Sequence, residues 1–241
     1  MNPVALVTGA TSDLGQEVAK QLQARGINTI MASKDEQQGI DAANQIRQQG
    51  LDVFFQPLDV VSRLSIEALK TYVMHQFGRL DIIVNAEEIF EDLNLISTPT
   101  AGAPFGVTEE QYFERTMDVN LYGPLRLADT FTPMMKEAQF GRIVHVSSDL
   151  AELNNMEAGY PAYRLSKAAL NGLTRTLAAE LRQFPNIKVN SALVDWREPE
   201  LADQPKKELK PEQVMNVVWL ATLPQNGPTG GFFRNMQQVP W

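Results

Sequence analysis

Tyr163 and Lys167, in the run Tyr163-Arg164-Leu165-Ser166-Lys167, stand four positions apart. On a helix, residues i and i+4 share a face, so the ammonium can lie beside the phenol and stabilise its phenolate. A phenol with an ordinary pKa near 10 becomes a usable acid or base around neutrality only with such help. Upstream, Gly141-Arg142-Ile143-Val144-His145-Val146 reads as a buried strand that ends in Ser147-Ser148. A hydroxyl there can hydrogen-bond a carbonyl oxygen while the phenol protonates it. Asn120, in Met117-Asp118-Val119-Asn120, lies in a helical stretch before that strand. Near the N-terminus, Thr8-Gly9-Ala10-Thr11-Ser12-Asp13-Leu14-Gly15 joins a short apolar run to an amphipathic pattern. A glycine-punctuated turn opening a helix lets backbone approach a pyrophosphate. The same glycines also suit a plain chain reversal, and neither motif decides the matter alone.

The elements that must carry these residues show in the hydrophobic pattern. Short β-rich runs occur at Val4 to Val7, Thr29 to Ala32, Val53 to Leu58, Ile82 to Val84, Ile143 to Val146 and Val189 to Val194. Between them lie helical stripes: Leu14, Val18, Ala19, Leu22; Ile66, Leu69, Val73, Phe77; and Leu170, Leu173, Leu177, Leu181. This alternation predicts an α/β fold with a doubly wound, Rossmann-type parallel sheet of about seven strands and helices on both faces. The helix expected from Glu109 onward contains Pro124 and Pro133 and should kink or break. Two polar segments, Glu87 to Val107 and Asp195 to Lys210, follow strands at the edge where open α/β folds bind ligands. They read as loops over a site, within a single domain spanning 1–241.

Composition narrows the function. The 241 residues carry 21 Lys+Arg against 29 Asp+Glu, a net charge of −8, and are 44% hydrophobic. A core of ordinary size is affordable at this length, whereas the acidic balance argues against nucleic acid and anionic membrane surfaces. Without cysteine, thiolate chemistry and disulfides are excluded, and two histidines, His75 and His145, lack zinc-site spacing. No metal is expected. The N-terminus has no basic segment followed by an apolar run, so neither a signal peptide nor a membrane span is expected, which points to a cytoplasmic protein.

Taken together and in order, the motifs resemble the classical short-chain dehydrogenase/reductase family from end to end, in particular its bacterial and plant branch similar to carbonyl reductases. The residues that carry the resemblance are Thr8-Gly9 and Gly15, Leu58-Asp59-Val60, Asn85-Ala86, Asn120, Ser148, Tyr160 to Lys167, and the tail Gly227 to Phe233. The resemblance implies hydride transfer between a nicotinamide dinucleotide and a small carbonyl or alcohol. Tyr163 would be the general acid, Lys167 would lower its pKa and hold the nicotinamide ribose, Ser148 would orient the substrate oxygen, and Asn120 would hold a relay water. Gly9, Thr11, Ser12, Asp13, Leu14 and Gly15 would meet the pyrophosphate, Asp59 and Val60 the adenine, Asn85 and Ala86 the cleft wall, and Val194 and Trp196 the nicotinamide side. At the end of the second strand, Ser33 stands where an acidic residue would favour NAD(H), and Lys34 could pair a 2′-phosphate. NADP(H) is expected over NAD(H), while Lys34 reads equally well as a solvated surface lysine. A homodimer or homotetramer packed through the Glu109 and Tyr163 helices is expected by analogy.

Three acidic residues depart from the family pattern: Asp13 for the middle glycine of the turn, Glu88 within Asn85-Ala86-Glu87-Glu88, and Asp195 after the sixth strand. All three are read as facing the dinucleotide. Asp13 with Gln16 also forms the Asp-x-x-Gln pattern of a capping box, which would take the helix N–H groups that a pyrophosphate needs. A second reading follows: a relative with weak or no cofactor binding that keeps the fold as a binding or oligomeric scaffold. His145 reads as a hydrogen-bonded core residue rather than a catalyst. Tyr160 reads equally as the substrate mouth or as helix-start packing, and Trp219 and Trp241 as packing residues.

Overall fold

The computed structural model describes residues 2–91, 110–195 and 209–241. Glu109, Trp196 and most of the two polar loops lie outside them. Strands β1 (Val4–Thr8), β2 (Asn28–Ser33), β3 (Phe54–Pro57), β4 (Ile82–Asn85), β5 (Gly141–Ser148), β6 (Ile187–Val194), β7 (Phe232–Arg234) and β8 (Gln237–Val239) form one sheet in the order β3-β2-β1-β4-β5-β6-β7-β8. All pairings from β3 to β7 are parallel, and β8 returns antiparallel beside β7. The eighth strand comes from a tight hairpin whose two turn residues, Asn235 and Met236, both have positive φ. Such a turn normally announces itself with glycine; here the sequence gives no such signal.

Alternation along the strands assigns the two faces. Ala5 and Val7 pack under α1 (Asp13–Gln23), α2 (Glu36–Arg47) and α7 (Pro211–Ala221), whereas Val4 and Leu6 pack under α3 (Arg63–Gln76), α5 (Gly123–Ala138) and α6 (Pro161–Glu180). Each buried Leu, Ile or Val contributes about 1.5–3 kcal/mol, and both faces are covered, as a parallel sheet requires. The helical stripes fall where expected: Leu14, Val18, Ala19 and Leu22 are buried in α1, and Leu170, Leu177 and Leu181 in or just after α6.

Between α4 (Glu110–Met117) and α5 the chain makes a π-helical turn, Asp118–Tyr122, with Pro124 in the first turn of α5. The expected kink is there. Pro133, in contrast, sits inside α5 without ending it, and the helix runs on to Ala138. Pro133 and Asp129 are both exposed, so the carbonyl deprived of its partner can face water. Among the described residues no helix is long and apolar enough to cross a membrane.

Strand order reverses at β1, which has β2 on one side and β4 on the other. The crevice beyond the carboxyl ends of β1 and β4 is where such sheets bind ligands, and β5 and α6 form its next wall.

Candidate active site

The turn after β1 is fixed by backbone crowding. Gly9 has φ of +65°, and a Cβ there would stand 2.5 Å from the Ala86 carbonyl oxygen; a Cβ on Gly15 would stand 2.3 Å from the Gly9 carbonyl oxygen. Only glycine allows the turn, the helix start and the end of β4 to meet so closely. Ser12 caps α1, its Oγ accepting from the Gly15 N–H at 3.1 Å and donating to the Gly9 carbonyl at 2.8 Å. The capping box expected of Asp13 and Gln16 is therefore not formed. Asp13 is instead the exposed first residue of α1, and the Gln16 amide reaches back to the Thr11 carbonyl. The reason is one of position: Ser12 keeps the extended backbone that a cap needs. Leu14 points into the core.

At the end of β2, Ser33 is buried and donates to the Asp35 carbonyl. The Lys34 ammonium, largely exposed, lies 2.9 Å from the Asp59 carboxylate. Lys34, Asp59, Val60, Glu87, Ile89 and Arg115 are among the residues lining a cavity of about 200 Å³. Glu87 accepts the Gly9 N–H, and burial raises its pKa, aided by the charges of Glu88 and Asp59 and opposed by that N–H and by Lys34.

Thr8 joins β1 to β4: its Oγ1 accepts the N–H groups of Ala86 and Glu87, both at 3.1 Å. Asn85, at the end of β4, is buried with both side-chain polar atoms unpartnered. A buried orphan amide at the carboxyl end of a central strand suits an arriving polar ligand.

The catalytic candidates converge on the far side. Tyr163 and Lys167 are buried on one face of α6, with the Lys167 Nζ 5.5 Å from the Tyr163 ring centre and donating to the Val146 carbonyl at 3.0 Å. Ser148, the last residue of β5, lies near the Tyr163 hydroxyl and donates its own proton to the Asp149 carboxylate at 3.0 Å. Asn120 sits in the π-helical turn, and its amide brackets Ile89: Oδ1 accepts the Ile89 N–H and Nδ2 donates to the Ile89 carbonyl, each at 2.9 Å. Nδ2 also donates to Ser166, whose hydroxyl donates to the Tyr163 carbonyl. Arg164 ties the approach to α6 through the Gly159 and Leu150 carbonyls. Tyr160, with φ of 55°, packs edge-on against Phe90 at the helix start.

What the sequence did not foretell is the occupant of this corner. One carboxylate oxygen of Glu88 lies 2.6 Å from Lys167 Nζ and accepts from the Tyr163 hydroxyl at 3.0 Å. Phe90 stacks on the Tyr163 ring, with centroids 4.0 Å apart and planes within 9°. The Tyr163 pKa is accordingly raised well above the usual phenol value, first by burial, then by the charge and hydrogen bond of Glu88, with Ser148 pulling the other way. The sequence marks Glu88 only as an acid facing the dinucleotide; its link to the Tyr163–Lys167 pair has no sequence signal, because the two segments are 75 residues apart.

Asp195, just after β6, is paired. Its carboxylate is held by Arg234 at 3.0 Å and Lys210 at 3.4 Å, while Val194 ends β6 beside Ser148. His145 is buried with Nδ1 on the Thr174 hydroxyl, and burial, with the nearby Lys167 charge, lowers its pKa to about 3. Trp219 packs on Phe233 and Trp241 on Phe232.

For a nicotinamide dinucleotide, the glycine turn, the orphan amide of Asn85 and the Tyr163–Lys167 pair are a fitting donor set. The fit requires Glu87 and Glu88 to give up the donors that they hold.

Comparison with known proteins agrees with this architecture. The family described as short chain dehydrogenase matches residues 3–206. The chain is 29% identical to a (+)-neomenthol dehydrogenase of Arabidopsis thaliana, over 97% of this chain and 96% of that protein. It is 28% identical to carbonyl reductase [NADPH] 1 of Mus musculus, over 99% and 98%. The solved menthone neomenthol reductase of Mentha piperita superposes with a TM-score of 0.76 at 25% identity, covering 98% of this chain and 100% of that one. The chain belongs to the short-chain dehydrogenase/reductase family of oxidoreductases.

Proposed function

We propose that this protein reduces a small carbonyl compound with NADPH as the preferred cofactor, Tyr163 giving the proton to the carbonyl oxygen. One observation carries the reading: Tyr163, Lys167 and Ser148 meet at the carboxyl edge of the sheet beside a glycine turn. A bound nicotinamide would supply the hydride. With Glu88 in place, the raised pKa of Tyr163 keeps the phenol protonated but makes it a poorer acid, contrary to the lowering expected from Lys167. Proton transfer would need the Glu88 carboxylate to leave, so that the Lys167 charge acts on the phenol alone. Ser148 would donate a second hydrogen bond to the substrate oxygen, and the Lys167 ammonium would stand beside the phenolate left behind. Asn120 would position the Ile89 backbone along the cleft. Lys34, released from Asp59, would pair a 2′-phosphate; the likeness to an NADPH carbonyl reductase supports that preference.

The test is turnover. With aldehydes and ketones as substrates, loss of reduced-cofactor absorbance should be faster with NADPH than with NADH, and Tyr163→Phe should remove it. Equal turnover in Tyr163→Phe would refute the assignment. A homodimer or homotetramer belongs to the same reading and is checked by sedimentation.

Glu87 on the Gly9 N–H and Glu88 on Lys167 favour a second reading, a family member that keeps the fold as a scaffold without using the nucleotide. It predicts no turnover with any carbonyl and no nucleotide binding.

A further inference from the structure

The segment Ala86–Phe90 engages the site one residue at a time. Ala86 and Glu87 give their N–H groups to Thr8. Glu87 puts its carboxylate on the Gly9 N–H of the glycine turn. Glu88 puts its carboxylate between Lys167 and Tyr163. Ile89 is bracketed by Asn120, and Phe90 covers the face of the Tyr163 ring. Two anionic groups and one flat ring lie along the crevice at the strand-order reversal. Lys167 makes the strongest of these contacts. Its side chain is only 2% exposed; the Val146 carbonyl takes one of its N–H groups at 3.0 Å, and the Glu88 carboxylate at 2.6 Å balances its buried charge.

We infer that Ala86–Phe90 is an internal ligand of the site, with Glu88 as the residue that sets how tightly a nucleotide binds, because the incoming molecule must displace the Glu88 carboxylate from Lys167 and Tyr163. The inference rests on the reductase reading for its competitor but not for the contact itself. The Glu88 side chain is 44% exposed, so its carboxylate has solvent to enter when displaced. Any nucleotide binds only the fraction of molecules in which Glu88 has left, and its apparent dissociation constant rises by the inverse of that fraction.

The charged and titratable groups around the contact are Lys167 and Tyr163 on α6, Asp149 after β5, and Glu87 next in sequence. Glu88→Gln removes the charge and keeps most of the bulk; Glu88→Gly removes both. Two readouts are taken on wild type and both variants. The first is ultraviolet absorbance of phenolate against pH, with Tyr163→Phe identifying the Tyr163 step. Loss of the Glu88 charge should let Tyr163 ionise at lower pH in both variants. The second is NADPH binding, followed by fluorescence of the reduced nicotinamide. Affinity should rise at least about tenfold in Glu88→Gly, the scale of one charge-assisted contact, and by less in Glu88→Gln.

An unshifted Tyr163 titration would show that Glu88 does not hold the pair and would overturn the inference. Equal NADPH affinity in all three proteins would overturn the competition while leaving the reductase reading intact. A shifted titration with no NADPH binding to any of the three would overturn the competition and, with it, the reductase reading.

Discussion

On one wall of the crevice, β5 and α6 hold Ser148, Tyr163 and Lys167 at 3% exposure or less, each on a regular element. On the other, Ala86–Phe90 has left β4, and its side chains are held mainly by hydrogen bonds and charge. The first wall holds residues on which the resemblance to the family rests, whereas the second holds Glu88, one of the departures from it. A side chain on a helix keeps its place because the helix is packed on the sheet. One on an irregular segment keeps its place only while its partners do. On the proposed function the chemistry would stand on the wall of regular elements, the fixed one, and the control of access on the irregular one.

Tyr163→Phe strikes the fixed wall hardest. Reduction should fall by about 10²–10⁴-fold, the range for a lost general acid, with NADPH affinity within a few-fold of wild type. A loss of affinity matching the loss of rate would mean that the phenol holds cofactor rather than moving a proton.

His145, in the same wall, makes a pH-dependent contribution. With a folded pKa of about 3 against an ordinary 6.5, the unfolded chain takes up a proton between these values that the folded chain refuses. Stability therefore falls as pH drops below about 6.5, by up to about 1.4 kcal/mol per unit, and the effect is absent above it. Denaturant titrations at several pH values should show His145→Gln lacking this dependence, so that its stability relative to wild type improves steadily from pH 6.5 toward 4. A constant difference would mean that His145 is protonated in the folded core.

On the nucleotide side, Lys34→Ala should reduce the preference for NADPH over NADH by about tenfold, the loss of roughly one ion pair to phosphate. Asp59→Asn, which frees Lys34 from its 2.9 Å partner, should shift the preference the other way. The smallest effect is expected at Asp13. It is exposed and does not cap α1, so Asp13→Gly should improve NADPH affinity by only about two- to fivefold, screened by solvent. An Asp13 effect exceeding that of Glu88→Gly would invert the comparison between the walls.

The elements of the fixed wall were legible in the sequence because each rests on a local signal. Hydrophobic periodicity located α6 and β5, and the four-residue spacing put Tyr163 and Lys167 on one face. One helix expectation failed and another was met only at Pro124, both for local reasons. Ser12 outcompeted Asp13 as the cap, and an exposed Pro133 was tolerated where a break was expected. The β7–β8 hairpin was hidden by strands of three residues and a turn without glycine. The partners of Glu88 and Asp195 were invisible for a different reason. Lys167 is 79 positions from Glu88, and Arg234 is 39 from Asp195, and no periodicity links residues so far apart. The charges are legible in the sequence, whereas their partners are set by tertiary packing. Trp196 lies outside the described residues.

The most direct test is calorimetric titration of the wild-type protein with NADPH and then NADH, before any substrate is tried. The account expects measurable NADPH binding, weakened by the internal carboxylate into the range of tens of micromolar to about a millimolar, and weaker binding of NADH. No heat with either nucleotide at several millimolar would contradict it and leave the dehydrogenase motifs as ancestry alone.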